Sequence, residues 1–313
     1  MTVLVIHVGG QGVTAGLAEP GGGVTVHRWT AAPRGVGAES VFETLTSLVD
    51  SVHAVDAVGG LAALQGIGVS CTGSVDRPTG AVTPLGLPDW VDFPLRERLQ
   101  QRYPGLPVRV HREAQCFTAA EHWVGAGRRS ANLLGVIVSA GVEGGLVLGG
   151  RLVHGGTGNA GHIGHVVVDP VGPVCSCGGI GCLEAVAGGP AVVAWARDHG
   201  WVAGASAGGA ELAASARAGD PVASAALALA GTAVGIAISS VAALLDLDLV
   251  VVGGSLADSG EILFGPMRRA VERHLRVPYG KRLQVLQSGC GRHAALVGAA
   301  ALVLHGDAYG QAG

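Results

Sequence analysis

The chain has 313 residues, of which 49% are hydrophobic and only 14% are charged, and 54 are glycine. This length suits one large domain or two lobes with substantial cores, and the apolar content excludes a disordered chain. The formal net charge of −3 leaves no electrostatic footprint for nucleic acid, so we expect no nucleic-acid partner.

Apolar runs that end at glycine turns predict an α/β protein. In chain order, the predicted strands lie at residues 2–8, 13–18, 24–29, 66–71, 108–110, 132–139, 144–148, 249–252 and 283–287. The predicted helices lie at residues 38–58, 95–102, 113–125, 189–199, 208–217, 221–245, 259–275 and 294–304. Residues 80–94 are rich in proline and glycine and predict a loop. Strands meet glycine turns twice, at 5–12 and 136–145, which favours two lobes.

One long uncharged segment, residues 222–245, could span a bilayer by its length alone. It contains glycines and serines and leads into the apolar run at 249–252, which favours a core helix that feeds a strand. No signal-peptide pattern follows Met1. We therefore expect a soluble, cytoplasmic protein without a membrane partner.

The segment from 165 to 184 carries four potential metal ligands, namely His165, Cys175, Cys177 and Cys182. The C-x-C-x4-C spacing with a histidine has the ligand count of a closed tetrahedral zinc site. The alternative is a loop of reduced or disulfide-paired cysteines, but a C-x-C pair is awkward to bridge. The sequence therefore predicts structural zinc. The remaining cysteines are expected to be small buried hydrophobes: Cys71, Cys116 and Cys290.

This cysteine run, together with three other segments, resembles the ROK family of sugar kinases and repressors. The other segments are Gly66-Ile-Gly-Val, Ala160-Gly-His-Ile-Gly-His165 and Val250-Val-Val-Gly-Gly254. The resemblance implies a two-lobed actin/hexokinase-type (ribonuclease H-like) α/β fold with a central cleft. It places residues 1–112 and 295–313 in a smaller lobe and 113–294, with the zinc loop, in a larger one.

Within that family the kinase branch is the closer comparison. Repressor members carry an N-terminal helix-turn-helix, whereas the first predicted strand of this chain begins at Thr2. Typical kinase members phosphorylate hexoses or N-acetylated hexosamines with ATP and magnesium, and many are dimers. The resemblance therefore implies a small-molecule sugar ligand and a homodimer.

The two phosphate loops of the family are altered here. The first reads Asp-x-Gly-Gly-Thr in the family and His7-Val-Gly9-Gly10-Gln11 here; magnesium prefers oxygen ligands to imidazole. The second reads Gly-Thr-Gly-x-Gly in the family and Ser139-Ala140-Gly141-Val142-Glu143 here. If Glu143 faces the cleft it repels phosphate; the alternative is a side chain turned to solvent. Both changes argue against ordinary ATP and magnesium binding, although the Gly253-Gly254 turn, which abuts adenosine in the family, is kept.

The sugar-binding positions are altered as well. The family stretch Glu-Asn-Asp-Ala-Asn aligns with His111-Arg112-Glu113-Ala114-Gln115, so Glu113 stands for the catalytic base and Arg112 for a sugar-binding asparagine. His162 replaces the glutamate of Gly-Glu-x-Gly-His. By the resemblance, Glu113 and His162 are the candidate acid–base pair. The candidate substrate-binding residues are Gly73, His111, Arg112, His165 and Glu184.

Three functions stay open at this point. The first is a repurposed, kinase-deficient protein that binds a sugar-like ligand, with Arg112 suited to a carboxylate or phosphate. The second is a kinase of unusual specificity that uses Glu113 as its base. The third is a non-catalytic sugar sensor or regulatory protein.

Overall fold

The computed structural model describes residues 2–55, 63–306 and 308–309. Its strands are β1 (Thr2–Gly9), β2 (Gly12–Ala18), β3 (Val24–Ala31), β4 (Leu64–Cys71), β5 (Ser74–Val75), β6 (Val82–Thr83), β7 (Val108–Arg112), β8 (Leu133–Val138), β9 (Val142–Leu148), β10 (Arg151–Val153), β11 (Leu249–Gly253) and β12 (Gln284–Gln287). Its α-helices are α1 (Ala38–Val55), α2 (Leu95–Arg102), α3 (Glu113–Trp123), α4 (Leu183–Ala187), α5 (Gly189–Asp198), α6 (Gly209–Arg217), α7 (Pro221–Leu245), α8 (Glu261–His274) and α9 (Ala294–Leu304).

The first sheet has the strand order β3-β2-β1-β4-β7. Strands β1, β2 and β3 are antiparallel neighbours, whereas β4 and β7 run parallel to β1. Strand β1 has polar side chains only at Thr2 and His7, and side chains on both of its faces are buried, as expected for a central strand covered by helices. A continuous apolar cluster forms here and includes Leu4, Ile6, Val69 and Trp90.

The second sheet has the order β9-β8-β11-β12, and β10 pairs with β9. Strands β8, β11 and β12 are parallel, and all residues of β8 and β11 are buried. Helix α7 packs so closely on α8 that a β-carbon added at Gly231 would overlap the backbone of Leu263. A β-carbon added at Gly235 would likewise overlap the backbone of Met267. Glycine at this i, i+4 spacing therefore sets the helix–helix distance.

Helix α7 is the one described helix that is long and apolar enough to cross a membrane. In its most apolar window 56% of the residues are buried inside the protein. A core helix of a soluble protein meets the same criteria of length and composition, so this feature is weak evidence for a membrane span.

The chain divides into two compact units. The first contains the described residues up to Arg129, then Val147–Ala160, then those from Gly289 onward; the second contains Ser130–Leu146 and Gly161–Ser288. The boundary thus falls inside β9, and α3 belongs to the first unit, whereas the resemblance placed residues 113–123 in the larger lobe.

The α/β class predicted from the apolar runs is confirmed, with a few local differences. Helix α1 is described to Val55, and the predicted residues 56–58 lie outside the described part of the chain. Strand β9 begins at Val142, two residues before the predicted start. The expected loop at 80–94 contains β6, which pairs with β5. Strand β10 and helix α4 were not predicted, because three and five residues are too few for a periodic signal.

Candidate functional site

The four predicted metal ligands come together in the second unit. One ligand atom from each of His165, Cys175, Cys177 and Cys182 lies within 4.8 Å of the others. The Sγ atoms of Cys177 and Cys182 are 3.8 Å apart, and Cys175 Sγ is 3.9 Å from His165 Nδ1. Tetrahedral zinc with Zn–S bonds of about 2.3 Å requires sulfur–sulfur distances of about 3.8 Å, whereas a disulfide requires about 2.05 Å. The donor set therefore fits a zinc ion, and none of the three cysteines forms a disulfide bond within the described residues.

The backbone of the cysteine loop is folded to present these ligands. The amide of Cys175 donates to the Gly179 carbonyl at 2.8 Å, and the amide of Gly178 donates back to the Cys175 carbonyl at 2.9 Å. Gly178 has a φ of +87°, a backbone conformation that is energetically unfavourable for any residue with a β-carbon. Cys182 then leads directly into α4. This fold of the loop brings the thiols of Cys177 and Cys182, five residues apart in the sequence, close enough to bind one ion.

Two further candidates lie beside this cluster. The rings of His162 and His165 are 4.5 Å apart, centroid to centroid. Glu184, in the first turn of α4, accepts a hydrogen bond from the Val142 amide through Oε2 at 3.2 Å. The retained carboxylate is therefore anchored to the turn between β8 and β9, where the second phosphate loop of the family would lie.

Ala140 and Gly141 lie in that turn, and Glu143 follows it as the second residue of β9. The side chain of Glu143 is only 9% exposed because it lies within β9, so the interpretation of a carboxylate turned out to solvent is wrong. Gly141 lies under Glu184, since a β-carbon there would be 2.8 Å from Oε2 of that carboxylate. The second unit therefore places two acidic side chains at this turn.

The Gly253-Gly254 turn follows β11 in the same unit. Gly254 has a φ of +96°, and a β-carbon at this position would overlap the backbone of Val138 at the end of β8. Glycine is required here both by backbone conformation and by the close approach of two parallel strands.

The first phosphate-loop positions lie in the first unit, at the hairpin between β1 and β2. Gly9 pairs with Gly12, so Gly10 and Gln11 form a two-residue turn. A β-carbon on Gly10 would overlap the Leu85 carbonyl, and Gly86 packs against Gly10 from the same loop. The hairpin is therefore in direct contact with the segment that was predicted as a loop. Gly73, with a φ of +82°, packs against the same segment at Thr83.

His7 stands where the family has its metal-holding aspartate. Its Nδ1 atom is 3.2 Å from the hydroxyl oxygen of Ser70, on the neighbouring strand β4. Burial lowers the pKa of His7 to about 4. The imidazole is therefore neutral near pH 7, and it replaces a carboxylate that would carry a negative charge.

The junction of β7 and α3 carries His111, Arg112 and Glu113. His111 and Arg112 are buried, at 7% and 1% exposure, whereas Glu113 is partly buried. Burial raises the pKa of Glu113 to about 7, and no neighbouring cation opposes this shift.

A buried thiol joins these two regions of the first unit. Burial raises the pKa of Cys116 to about 12, although a hydrogen bond with Ser70 acts in the opposite direction. The charge of Glu113 also raises this pKa, so the carboxyl lies near the thiol. Cys71 and Cys116 are fully buried, as predicted, whereas Cys290 is partly exposed.

The candidate residues thus form one group in each unit. The first unit holds His7, Gly9, Gly10, Gln11, Gly73, His111, Arg112 and Glu113, and the second holds Ala140, Gly141, Glu143, His162, His165, Glu184, Gly253, Gly254 and the three cysteines. Sequence reasoning missed Ser70 and His154 because neither belongs to a motif. Ser70 could have been found as the parallel neighbour of His7 on β4.

Solved structures define the fold as the actin/hexokinase type. A ROK family glucokinase from Streptomyces griseus, solved with glucose and AMPPNP, superposes with a TM-score of 0.83 at 28% identity and covers 97% of this chain and 100% of that one. A ROK hexokinase from Thermus thermophilus superposes with a TM-score of 0.79 at 31% identity, over 98% of this chain and 99% of that one.

Sequence comparison gives the family. The model of the ROK family matches residues 3–305. An N-acetylmannosamine kinase from Escherichia coli is 33% identical over 304 residues, which is 96% of this chain and 98% of that protein. The chain therefore belongs to the ROK family, as its cysteine run and glycine motifs indicated, and its curated relatives include glucokinases and N-acetylmannosamine kinases.

Proposed function

We propose that this chain binds a sugar-like ligand and performs ordinary ATP-dependent hexose phosphorylation weakly or not at all. The observation that carries the proposal is the environment of His7. A magnesium–phosphate assembly needs an anionic oxygen ligand at the end of β1. This position instead holds a neutral imidazole whose Nδ1 lies within hydrogen-bond distance of Ser70. The residues of this loop therefore do not fit the metal.

The second phosphate loop supports the same proposal. Ala140 has no hydroxyl to offer a phosphate, and Glu143 adds a carboxylate that is withdrawn from water. Two negative groups at short range repel each other more strongly where water is excluded. Transition-state charge would therefore lose stabilisation at both loops.

The sugar side supports ligand binding. One relative is solved with glucose and another is an N-acetylmannosamine kinase, and the family resemblance assigns sugar contacts to His165 and Glu184 of this chain. Arg112 and Glu113 are the proposed contacts in the first unit, with Glu113 as a candidate acid–base group, and His162 is the candidate acid–base group of the second unit. We propose zinc as the structural ion of the cysteine loop. The homodimer and the cytoplasmic location stay predictions.

One observation favours a second candidate, a slow sugar kinase with Glu113 as general base. A base is most effective when its pKa lies near the working pH, and burial raises the pKa of Glu113 to about 7. The carboxylate would accept the proton of the attacking sugar hydroxyl. Its extra methylene relative to aspartate shifts it by about 1 Å, which can cost roughly 100-fold in rate.

A coupled assay of ADP release over a panel of hexoses and N-acetylhexosamines separates the two candidates. The proposal expects no robust turnover and a thermal shift with a sugar but not with MgATP. Robust turnover that Glu113→Gln abolishes would establish the kinase instead. Glu272→Gln is the matched control, since Glu272 is exposed on α8, a helix that carries no candidate residue.

A further inference from the structure

The cysteine loop holds an accessible sulfur next to a buried one. Cys177 is exposed to solvent, whereas Cys182 is only 3% exposed. Their Sγ atoms are 3.8 Å apart. A small oxidant can therefore reach the sulfur of Cys177, and a second thiolate already lies beside it to react with an oxidised sulfur.

The backbone between these two cysteines leaves room for the sulfurs to approach each other. Gly179 lies against both, since a β-carbon there would be 3.1 Å from Cys182 Sγ and 3.4 Å from Cys177 Sγ. A β-carbon on Gly178 would meet nothing within 4 Å. A disulfide needs a sulfur–sulfur distance of about 2.05 Å, and no side chain of residues 178 and 179 stands in the way of that approach.

The third cysteine of the loop is a less suitable partner. Cys175 is 4% exposed, and its Sγ atom faces His165 Nδ1 at 3.9 Å. With Cys177 it forms a C-x-C pair, which is awkward to bridge. A disulfide between Cys177 and Cys182 would leave the loop with two metal ligands, half the number that a closed structural zinc site requires.

We propose that Cys177 and Cys182 form an oxidative modification site that determines whether the loop holds zinc. The co-reactant is hydrogen peroxide. The thiolate of Cys177 attacks one peroxide oxygen, the O–O bond breaks, and a sulfenic acid and a hydroxide form. The thiolate of Cys182 then attacks that sulfur, the S–S bond forms and a second hydroxide leaves. The two thiolates lose two electrons, which the peroxide gains, and zinc is released.

The same loop carries two residues of the proposed sugar site. His165 is a proposed zinc ligand and a proposed sugar contact, and its Nδ1 atom lies on the side of the sulfurs. Cys182 is the N-cap residue of α4, and Glu184 in the first turn accepts the Val142 amide through Oε2 at 3.2 Å. Loss of zinc frees the His165 ring and lets the Cys182 side chain rotate at the start of α4. Oxidation should therefore weaken sugar binding, a consequence that rests on the proposed sugar-like ligand.

The test is peroxide treatment of the zinc-loaded full chain. A chromogenic chelator measures released zinc, and mass spectrometry after alkylation of the free thiols locates the disulfide. One zinc ion should leave per disulfide formed, with Cys175 as the one loop cysteine that is alkylated. Dithiothreitol with added zinc should restore the metal. Cys290→Ser is the control and should respond like the wild type, since this thiol lies in the other unit.

Two further measurements follow the effect on the site. Calorimetry without nucleotide should show that the oxidised protein binds glucose or N-acetylmannosamine at least about tenfold more weakly than the reduced protein. Hydrogen exchange of the Val142 amide needs no ligand, and it should become at least about tenfold faster because the contact with Glu184 is loosened.

The outcomes separate this inference from the proposed function. Zinc that stays bound in peroxide, or that leaves with sulfinic or sulfonic acids in place of the Cys177–Cys182 disulfide, overturns the modification site. Disulfide formation with unchanged Val142 exchange or unchanged sugar affinity overturns the link to the sugar contacts. If the reduced protein binds neither sugar, the proposed function is overturned, whereas zinc release, the disulfide and Val142 exchange still decide this inference.

Discussion

The Nδ1 atom of His7 lies 3.2 Å from the Oγ atom of Ser70, across two neighbouring parallel strands of the first sheet. Ser70 is fully buried and also approaches the thiol of Cys116 on α3. The charge of Glu113 in turn raises the pKa of this thiol. A line of buried and partly buried polar groups therefore connects the end of β1 with the start of α3, within one compact unit.

Restoring the family residues at both phosphate loops should improve nucleotide binding. The triple change His7→Asp, Gln11→Thr and Glu143→Gly adds an oxygen ligand for magnesium, adds a hydroxyl and removes a carboxylate beside the phosphates. We expect MgATP to raise the melting temperature of this variant by a few degrees, against no shift for the wild type.

The matched control for this triple variant is His199→Asp with Gln101→Thr. Both residues are exposed, with Gln101 on α2 and His199 at the end of α5, so two of the three changes of residue type are repeated away from the loops. The readout is the shift caused by the ligand, which is independent of any loss of stability from the substitutions. An unchanged response of the triple variant to MgATP would show that these positions do not contact the nucleotide.

Glu113→Gln should make the stability of the protein less dependent on pH. The unfolded chain ionises this carboxyl near its usual pKa of about 4.3, and the folded protein does so at about 7. Between these values the folded state binds more protons, so the wild-type free energy of unfolding falls as the pH rises. The glutamine variant lacks this loss and should be more stable than wild type by about 1–3 kcal/mol above pH 7.

Urea unfolding from pH 4 to pH 8 measures this difference, which should vanish near pH 4. Glu272→Gln, at an exposed position on α8, removes one carboxylate without removing a buried one. If the difference in free energy of unfolding between the wild type and Glu113→Gln stayed constant from pH 4 to pH 8, the carboxyl would have an ordinary pKa in the folded protein.

The fold could be predicted from the sequence where the signal is local. The apolar residues of β1 and the C-x-C-x4-C run carry their own signatures, because burial on both faces and metal ligation each fix residue types at short spacing. The burial of Glu143 depends on the strand boundary, since β9 starts two residues before its predicted start. Such boundaries are set by pairing, which the local pattern does not contain.

The polar clusters of the site could not be predicted because they depend on contacts between distant parts of the chain. His7 and Ser70 are 63 residues apart, and Gln115 and His154 are 39 residues apart. A histidine that follows a three-residue strand has no periodic or motif signal. Only the tertiary structure shows that His154 and Gln115 share one hydrogen-bonded group.

Removing one thiol from the cysteine loop should abolish tight zinc binding. Cys177 is exposed, so Cys177→Ser removes a ligand with little change in core packing. The wild type should contain one zinc per chain, and the variant should lose more than the roughly 10–100-fold in affinity that outer partners of a metal site contribute. Elemental analysis and release of zinc to a chromogenic chelator measure this effect.

Cys290→Ser is the control for the zinc experiment, because this thiol lies in the other unit, next to the carboxylate of Glu121. It should retain one zinc per chain. Chelation should also lower the melting temperature of the wild type, since the metal stabilises the folded loop. Wild-type protein without zinc after purification in its presence would contradict the assignment.

Gly298→Ala should destabilise the first unit, although alanine is the better helix former by about 1 kcal/mol. Gly298 lies in the middle of α9, and a β-carbon there would overlap the carbonyl of Cys116 on α3. The two helices would have to separate, and overpacking of this kind costs about 1–3 kcal/mol or more. Gly265→Ala on α8 is the matched control, since its β-carbon would meet only the flexible ends of Arg269 and Glu261. Chemical unfolding should therefore show a loss of stability for Gly298→Ala and a neutral or small stabilising effect for Gly265→Ala; equal effects would mean that α3 and α9 do not pack this closely.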